Sequence, residues 1–242
     1  MYIKSRDDEI YIGRGSGKRL KVDIHNAKHS IKIVSPFHSS SYIKDILKKA
    51  RNGLNVTLIT SNEIKEGDGK YCDLAYSDLI DQKRHVDDFA KEERDLKMRY
   101  SFFSLIIPLA LFLFEYIFLG IIFLIIIGVV LRYYQNKRIY SYSYSSPIKL
   151  KLIYDKYNQK GHFGKHQVHS KIYVIDEKVA YLGSANFSHS GFVDSYETMI
   201  RIKDEKVVTK ISQEVDDLFN DKENIYQDLS EWGKDLYDEP KN

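Results

Sequence analysis

His169-Ser170-Lys171-Ile172-Tyr173-Val174-Ile175-Asp176 is the stretch that decides the fold and most of the chemistry of this chain. We predict a β-strand here. Because successive side chains on a strand point to opposite faces, His169 and Lys171 share one face. Asp176 lies an odd number of residues from both and begins the tight connection Asp176-Glu177-Lys178. Aspartate is a common turn residue, so we predict a structural role for Asp176.

A turn and a further strand-like segment supply the other polar groups of the predicted site. An imidazole beside an ammonium group suits a phosphodiester, because one attacks phosphorus while the other neutralises non-bridging oxygens. The turn Gly183-Ser184-Ala185-Asn186 can donate to further phosphate oxygens through the Ser184 hydroxyl and the Asn186 amide. Glu197 can accept a proton from the second ring nitrogen of His169 and so fix its tautomer. The predicted catalytic residues are His169, Lys171 and Glu197, and the predicted phosphate-binding residues are Lys171, Ser184 and Asn186.

These residues together form a recognisable signature. The pattern His-x-Lys-x-x-x-x-Asp followed by Gly-Ser-x-Asn resembles the motif of the phospholipase D superfamily and matches it at every position. The spacing from His169 to Glu197 resembles the single-motif branch, which includes Nuc-type endonucleases and cardiolipin hydrolase. The resemblance covers Tyr11–Thr60 and Ile148–Phe219. A degenerate, inactive member is the alternative interpretation, although no motif residue is lost.

The resemblance implies a two-step reaction that uses no metal and no organic cofactor. His169 first attacks phosphorus, forms a phosphohistidine and releases one alcohol, and water or another alcohol then releases the product. Family members need a second histidine to protonate the leaving group. Because this sequence has no second His-x-Lys pair, the resemblance implies a homodimer in which an identical chain supplies that histidine.

On both sides of the signature the chain alternates between strand-like and helix-like segments, which indicates the α/β class. Ser30–Val34 and Asn55–Ile59 are predicted strands, and Tyr42–Ala50 is a predicted helix between them, so we expect a parallel pair covered by a helix. The resemblance implies a phospholipase D-like α-β-α sandwich with a mixed sheet. We expect the charged tail from Asn220 to be mostly solvated. The later predicted strands and the closing helix are Ile148–Tyr154, His169–Asp176, Val179–Gly183, Thr198–Ile202 and Val207–Phe219.

A charged arm and an apolar run interrupt the predicted sheet. Cys72–Lys97 is charge-rich and predicted to be helical, and Phe102–Leu131 contains a single charged residue, Glu115. We interpret the run as a membrane segment. One sheet can form only if both halves of the chain lie on the same side of the membrane, so we predict a hairpin with its tip near Glu115. A buried helical hairpin that mediates oligomerisation is the soluble alternative.

Basic residues on both flanks of the run favour the hairpin. Lys97 and Arg99 precede it, and Arg132, Lys137 and Arg138 follow it, which assigns both ends to the cytoplasmic side. The polar start of the chain, without the apolar core of a secretory signal, agrees with a cytoplasmic amino terminus. The predicted domains are the first part of the catalytic domain at 1–70, the insertion at 71–139 and the second part of the catalytic domain at 140–242.

Other features of the sequence are less informative. The net charge of +3 is compatible with a phosphate-bearing partner without indicating one. Gly13–Lys18 lacks the spacing of a phosphate-binding loop, and we expect His162 and His166 to line a loop rather than hold a metal. The single cysteine, Cys72, excludes an intrachain disulfide and is expected to be structural.

Three functions fit these observations. A membrane-attached phosphodiesterase or transferase acting on phospholipids is favoured, because the hairpin holds the site near lipid head groups. A membrane-tethered Nuc-like endonuclease acting on DNA or RNA is the alternative, and an inactive membrane scaffold is a third. Lipids and nucleic acids present the same phosphodiester to His169 and Lys171, so the sequence does not separate them. The basic residues that favour a nucleic-acid substrate are Arg14, Lys18, Arg19 and Lys21.

Overall fold

A mixed nine-stranded β-sheet built from both halves of the chain forms the first of two structural units. The computed structural model describes residues 2–4, 8–61, 76–153, 168–221 and 226–242. Unit 1 comprises Met1–Asp81 and Ser145–Trp232, and unit 2 comprises Gln82–Tyr144 and Gly233–Asn242. The predictions for Cys72, His162 and His166 fall outside the described residues.

Most predicted elements are present, with bounds that differ by a few residues from the sequence patterns. In chain order the elements are β1 (Tyr2–Lys4), β2 (Asp8–Arg14), α1 (Lys18–Asn26), β3 (Ser30–Val34), α2 (Ser40–Arg51), β4 (Asn55–Ser61), α3 (Tyr76–Leu79), β5 (Asp81–Val86), α4 (Asp88–Phe103), α5 (Ile106–Leu113), α6 (Ile117–Gln135), β6 (Tyr140–Ser145), β7 (Lys149–Ile153), β8 (Lys171–Ile175), β9 (Val179–Gly183), a π-helical segment (Ser190–Asp194), β10 (Tyr196–Ile202), α7 (Glu205–Asn220), β11 (Tyr226–Gln227) and α8 (Leu229–Leu236).

The order of strands in the large sheet brings both halves of the chain to one edge. The order is β1-β2-β10-β9-β8-β3-β4-β7-β11, in which β3 pairs parallel with β4 and β4 pairs parallel with β7. The parallel pair predicted for β3 and β4 and the mixed sheet are therefore confirmed. Val34 at the end of β3 lies opposite Ile172, and Lys171 at the start of β8 lies opposite Gly183. These strand ends form one edge of the sheet, which we call the motif edge.

Side-chain alternation gives the sheet two apolar faces, each covered by helices. On one face Val34 and Ile59 pack with Val215 of α7, and Lys32 donates a hydrogen bond of 2.6 Å to the Ser212 hydroxyl of the same helix. On the opposite face Tyr173 packs in an aromatic cluster with Tyr42 of α2, Phe187 and Phe192. The predicted α-β-α sandwich is thus confirmed.

Unit 2 contains two apolar helical stretches joined by a tight turn. Asp88–Leu113 spans 26 residues with one break, and Ile117–Gln135 spans 19, so both are long and apolar enough to cross a membrane by length and composition. Glu115 lies in the connecting turn with a backbone φ of 63°. α5 packs on α6 where Gly120 faces Phe112, and a Cβ at that glycine would lie 2.4 Å from the phenylalanine ring. The apolar run therefore folds as a helical hairpin.

One expectation from the sequence is wrong. Residues 81–86 of the supposedly helical arm form β5, which pairs with β6 in a separate two-stranded sheet. Cross-strand contacts override the local charge pattern there, since the Arg84 guanidinium stacks 4.6 Å from the Tyr140 ring centroid. The carboxy-terminal tail is mostly exposed, as predicted, although part of it forms α8, in which Trp232 is only 6% exposed. Its apolar residues recur at helical spacing within a charged composition that conceals them.

Candidate active site

The motif edge holds the His169 imidazole and the Lys171 ammonium group side by side. Val168 is buried in the core cluster that includes Val34, whereas the next residue, His169, is exposed. Lys171 is only 6% exposed. Its Nζ donates a 2.6 Å hydrogen bond to the His169 carbonyl oxygen and lies 3.2 Å from Nδ1 and 3.4 Å from Nε2 of the ring. The predicted strand from His169 begins only at Lys171, but the two side chains are adjacent as the sequence predicts.

The surroundings of Lys171 modify its basicity in two opposing ways. Burial lowers the pKa of Lys171 below its ordinary value, and the nearby Glu197 carboxylate opposes that change. A partly desolvated ammonium group interacts more strongly with an anion than one in bulk water, because water screens it less. Lys171 is therefore suited to neutralising a phosphate oxygen at the His169 ring.

Gly183 allows the Gly-Ser-Ala-Asn turn to pack against β10. It lies opposite both Lys171 and Met199 in the sheet, and a Cβ there would lie 2.1 Å from the Thr198 carbonyl oxygen. Ser184 then pairs with Thr198 through two bonds: its N–H donates to the carbonyl oxygen at 3.0 Å, and its hydroxyl oxygen accepts from the N–H at 3.1 Å. The serine is thus fixed at the edge of the site.

The Ser184 hydroxyl proton is donated to the Glu197 carboxylate. In this arrangement Ser184 orients Glu197 instead of pointing its proton towards a phosphate oxygen. Within the part of the chain that the structure describes, no hydrogen bond joins Glu197 to His169. The roles predicted for Ser184 as a phosphate donor and for Glu197 as the partner of His169 stay predictions.

Buried groups behind the turn fix its backbone. The Tyr173 hydroxyl donates a 2.7 Å hydrogen bond to the Ala185 carbonyl oxygen, and the Phe187 N–H donates to the Ser35 hydroxyl at 3.0 Å. Burial raises the pKa of Tyr173, so its hydroxyl keeps its proton. Asn186 Oδ1 is buried and has no hydrogen-bond partner among the described residues. A substrate group that donates to this oxygen would relieve the cost of its desolvation.

The sequence analysis did not identify three of the residues that pack behind the motif turn, namely Tyr173, Ser35 and His38. Tyr173 lies two residues beyond Lys171 on the same strand face, so alternation alone could have placed it. Ser35 and His38 follow β3 and lie far from the motif in sequence. The backbone of His38 forms an isolated parallel β-bridge with Phe187. Burial lowers the pKa of His38 to about 4, which leaves its ring uncharged at neutral pH. No local signal in the sequence marks Ser35 or His38.

Asp176 lies at the far end of β8 from His169 and Lys171. Its carboxylate accepts hydrogen bonds from the backbone N–H groups of Lys28, His29 and Ser30 at 2.7–3.1 Å. Partial burial opposes the charged form, but these N–H groups hold the pKa of Asp176 below its ordinary value. Asp176 itself has a positive φ of 52° in the turn that leaves the strand. These contacts tie the start of β3 to the end of β8 and support the structural role predicted for Asp176.

The described residues contain no group of three or more His, Cys, Asp or Glu side chains arranged to hold a metal ion. The side chains at the motif edge are an exposed imidazole, a buried ammonium group and a carboxylate hydrogen-bonded to serine. This set can attack phosphorus and neutralise charge on its oxygens.

Comparison with known families agrees with this chemistry. The family described as "Cardiolipin synthase, PLD-like domain" matches residues 20–220, which is most of the chain. The chain belongs to the phospholipase D superfamily. Members of this superfamily are phosphodiesterases. A search of curated proteins found no match.

Solved structures of phospholipase D superfamily members are among those similar to this chain. NucT from Helicobacter pylori is 16% identical, with 86% of this chain and 92% of that chain covered and a TM-score of 0.46. Nuc from Salmonella typhimurium is 13% identical, with 91% and 99% covered and a TM-score of 0.43. Phosphatidylserine synthase from Haemophilus influenzae Rd KW20 is 11% identical, with 96% and 42% covered and a TM-score of 0.45.

The phospholipase D motif turn should depend on the buried Tyr173 hydroxyl. Tyr173→Phe leaves the buried Ala185 carbonyl oxygen without its donor, so we expect a loss of about 1–3 kcal/mol in the free energy of unfolding. Chemical unfolding monitored by circular dichroism measures the change. Tyr196→Phe is the matched control, because Tyr196 is 73% exposed and its substitution should change stability by less than about 0.5 kcal/mol. Equal stability of the two variants would contradict the role of Tyr173.

Proposed function

We propose that this protein is a membrane-attached phosphodiesterase that hydrolyses, or transfers at, a phospholipid phosphodiester through a phosphohistidine on His169. The observation that carries the proposal is the contact between the exposed His169 ring and the buried Lys171 ammonium group, with 3.2 Å between Nζ and Nδ1. The nucleophile is open to substrate, and the cation lies where charge develops on the phosphate.

The first step forms a bond between a His169 ring nitrogen and phosphorus and breaks the bond from phosphorus to one ester oxygen. Lys171 neutralises the charge that accumulates on the non-bridging oxygens. The departing alkoxide takes a proton from His169 of a second, identical chain, since one chain carries one His-x-Lys pair. The products of this step are an alcohol and a phosphohistidine.

The second step reverses the proton transfer. Water or a second alcohol gives its proton to His169 of the other chain, attacks phosphorus and displaces the imidazole of the first. Water gives hydrolysis, and an alcohol gives transfer to a new ester. This cycle regenerates both histidines, so the proposed functional form is a homodimer.

Exposed apolar surface on the hairpin supports membrane attachment and therefore a lipid substrate. Leu113, Phe114 and Phe118 around its turn are each at least 74% exposed, which is costly for large apolar side chains in water. The description of the matching family also names cardiolipin synthase, and cardiolipin is a phospholipid. We propose that the hairpin anchors the protein in the membrane with the catalytic residues on the cytoplasmic side.

The catalytic proposal predicts that activity follows the histidine and the lysine. Purified wild-type protein, offered defined phospholipids and single- and double-stranded nucleic acid, should cleave the phospholipids, with products measured by mass spectrometry. His169→Ala should reduce cleavage to background, because it removes the nucleophile. Lys171→Ala should lower the rate by about 10²–10³-fold, because it removes a charge that stabilises the transition state. Chelators should change the rate little.

His189→Ala is the matched control, because this exposed histidine lies outside the motif edge, and it should retain wild-type activity. Full activity of His169→Ala would rule out the covalent histidine. Cleavage of nucleic acid alone would replace the lipid substrate with the nuclease alternative, and no cleavage of either substrate by folded wild-type protein would favour the inactive scaffold.

The shared site predicts a non-linear response when wild-type and His169→Ala chains are mixed. If both histidines of a dimer are required, activity should follow the square of the wild-type fraction, and an equal mixture should retain about one quarter of the activity. Co-expression with two affinity tags gives defined heterodimers for a direct rate measurement. Activity strictly proportional to the wild-type fraction would contradict the shared site.

The hairpin predicts that both of its ends are reached from the same side of the membrane. β3 and β4 precede the hairpin and β7 and β8 follow it, yet all four belong to one sheet. Asn136→Cys in a cysteine-free background and native Cys72 should therefore react with an impermeant maleimide only from the cytoplasmic side. Glu115→Cys should react from the far side or not at all, because a charged residue at the bilayer centre costs about 2.5–3.5 kcal/mol and so favours a position at the tip. Labelling of positions 72 and 136 from opposite sides would overturn the hairpin topology.

A further inference from the structure

A cavity of about 340 Å³ lies between α1 and α2 in unit 1. We call it the α1–α2 cavity. Its volume is at the lower end of the range of about 300–1,000 Å³ typical of small-molecule sites, which are mostly apolar with a few polar groups. The buried apolar side chains that line it are Ile24, Tyr42, Ile46, Phe187 and Phe192.

Basic side chains surround this apolar lining. Lys21 and Lys48 are exposed and form no ion pair within the described parts of the chain. The Lys21 ammonium group lies 5.1 Å from the ring centroid of Tyr42. Lys49 donates a 2.7 Å hydrogen bond to the backbone oxygen of His25. Asp45 is the acidic residue among those that line the cavity, so positive charge predominates around it.

Tyr42 adds an unsatisfied hydrogen-bonding group. The side chain lines the cavity and is only 7% exposed. Its hydroxyl is buried and has no hydrogen-bond partner among the described residues. A buried hydroxyl without a partner destabilises the folded protein, and an acceptor brought in by a ligand would remove that cost.

We propose that the α1–α2 cavity binds an anionic amphiphile, with one acyl chain against the apolar lining and a phosphate or carboxylate head group near Lys21 and Lys48. The head group accepts a hydrogen bond from Tyr42. A nucleic acid fits these features poorly, because bases bind on exposed aromatic faces. Phe187 and Phe192 are each only 1% exposed and offer no such face.

Two nearly buried rings that border the cavity also support the active-site turn. Phe187 and Phe192 have ring centroids 6.3 and 6.0 Å from that of Tyr173, whose hydroxyl holds the Ala185 carbonyl oxygen. Binding itself does not depend on the proposed catalytic function, since none of the residues that line the cavity takes part in the reaction.

The test uses the full chain in nanodiscs of a neutral phospholipid, with octyl phosphate and octanoate as probes. Both probes should raise the thermal unfolding midpoint, whereas octanol and inorganic phosphate at the same concentration should not. The double variant Lys21→Gln/Lys48→Gln should bind octyl phosphate at least about tenfold more weakly, because it loses charge-assisted hydrogen bonds. Arg51→Gln removes an exposed charge from the same helix outside the cavity and should bind like wild type.

Two further variants make the outcome specific. Tyr42→Phe should raise the unfolding midpoint of the ligand-free protein and reduce the shift caused by octyl phosphate, because the unsatisfied hydroxyl is gone. His169→Ala should bind octyl phosphate as wild type does. An equal shift with octanol, an unchanged affinity in the double lysine variant, or loss of binding in His169→Ala would each overturn the proposal, the last by assigning the probe to the catalytic site.

Discussion

The close approach of β9 and β10 at Gly183 is the constraint on which the arrangement of the site depends. Gly183 lies between Lys171 and Met199 in the sheet, and the Thr198 carbonyl oxygen occupies the position that a Cβ would need. This contact allows Ser184 to exchange two hydrogen bonds with Thr198, which in turn fixes the neighbouring Glu197. The glycine of the motif is thus required by packing, and the polar residues that follow it are oriented by the same contact.

The proximity of His169 and Lys171 could be predicted from sequence because the two residues are only two positions apart. No distant contact is needed to place them together. The strands 30–34 and 179–183 were predicted at their observed bounds for the same local reason. Local spacing does not reveal what holds the turn, because the Ser35 hydroxyl that accepts from the Phe187 N–H lies 152 residues away.

The misassigned segment 81–86 shows how tertiary contacts override local patterns. Residues 81–86 are charged and exposed, with little apolar periodicity, and they form a strand because β6 offers a partner whose Tyr140 ring contacts the Arg84 guanidinium. Glu197 illustrates the same limit within the site. Its position near Lys171 could be anticipated, but the partner that the structure gives it is the Ser184 hydroxyl, whereas the sequence pattern predicted His169. A sequence pattern specifies which groups meet and leaves the geometry of their contacts to packing.

The hairpin is inserted in the connection between β4 and β7, where the sheet can accommodate a long insertion. β4 and β7 are adjacent and parallel. The chain must therefore return from the end of β4 to the opposite end of the sheet, where β7 begins, whatever the length of the connection. The entropy of closing a connection grows only slowly with its length, and an insertion there leaves the strand order unchanged. β4 ends at Ser61, two residues beyond Ile59, which lies opposite Val34 at the motif edge. The apolar hairpin and the His169–Lys171 pair can therefore coexist in one chain, because the insertion lies in a crossover connection that the fold already requires.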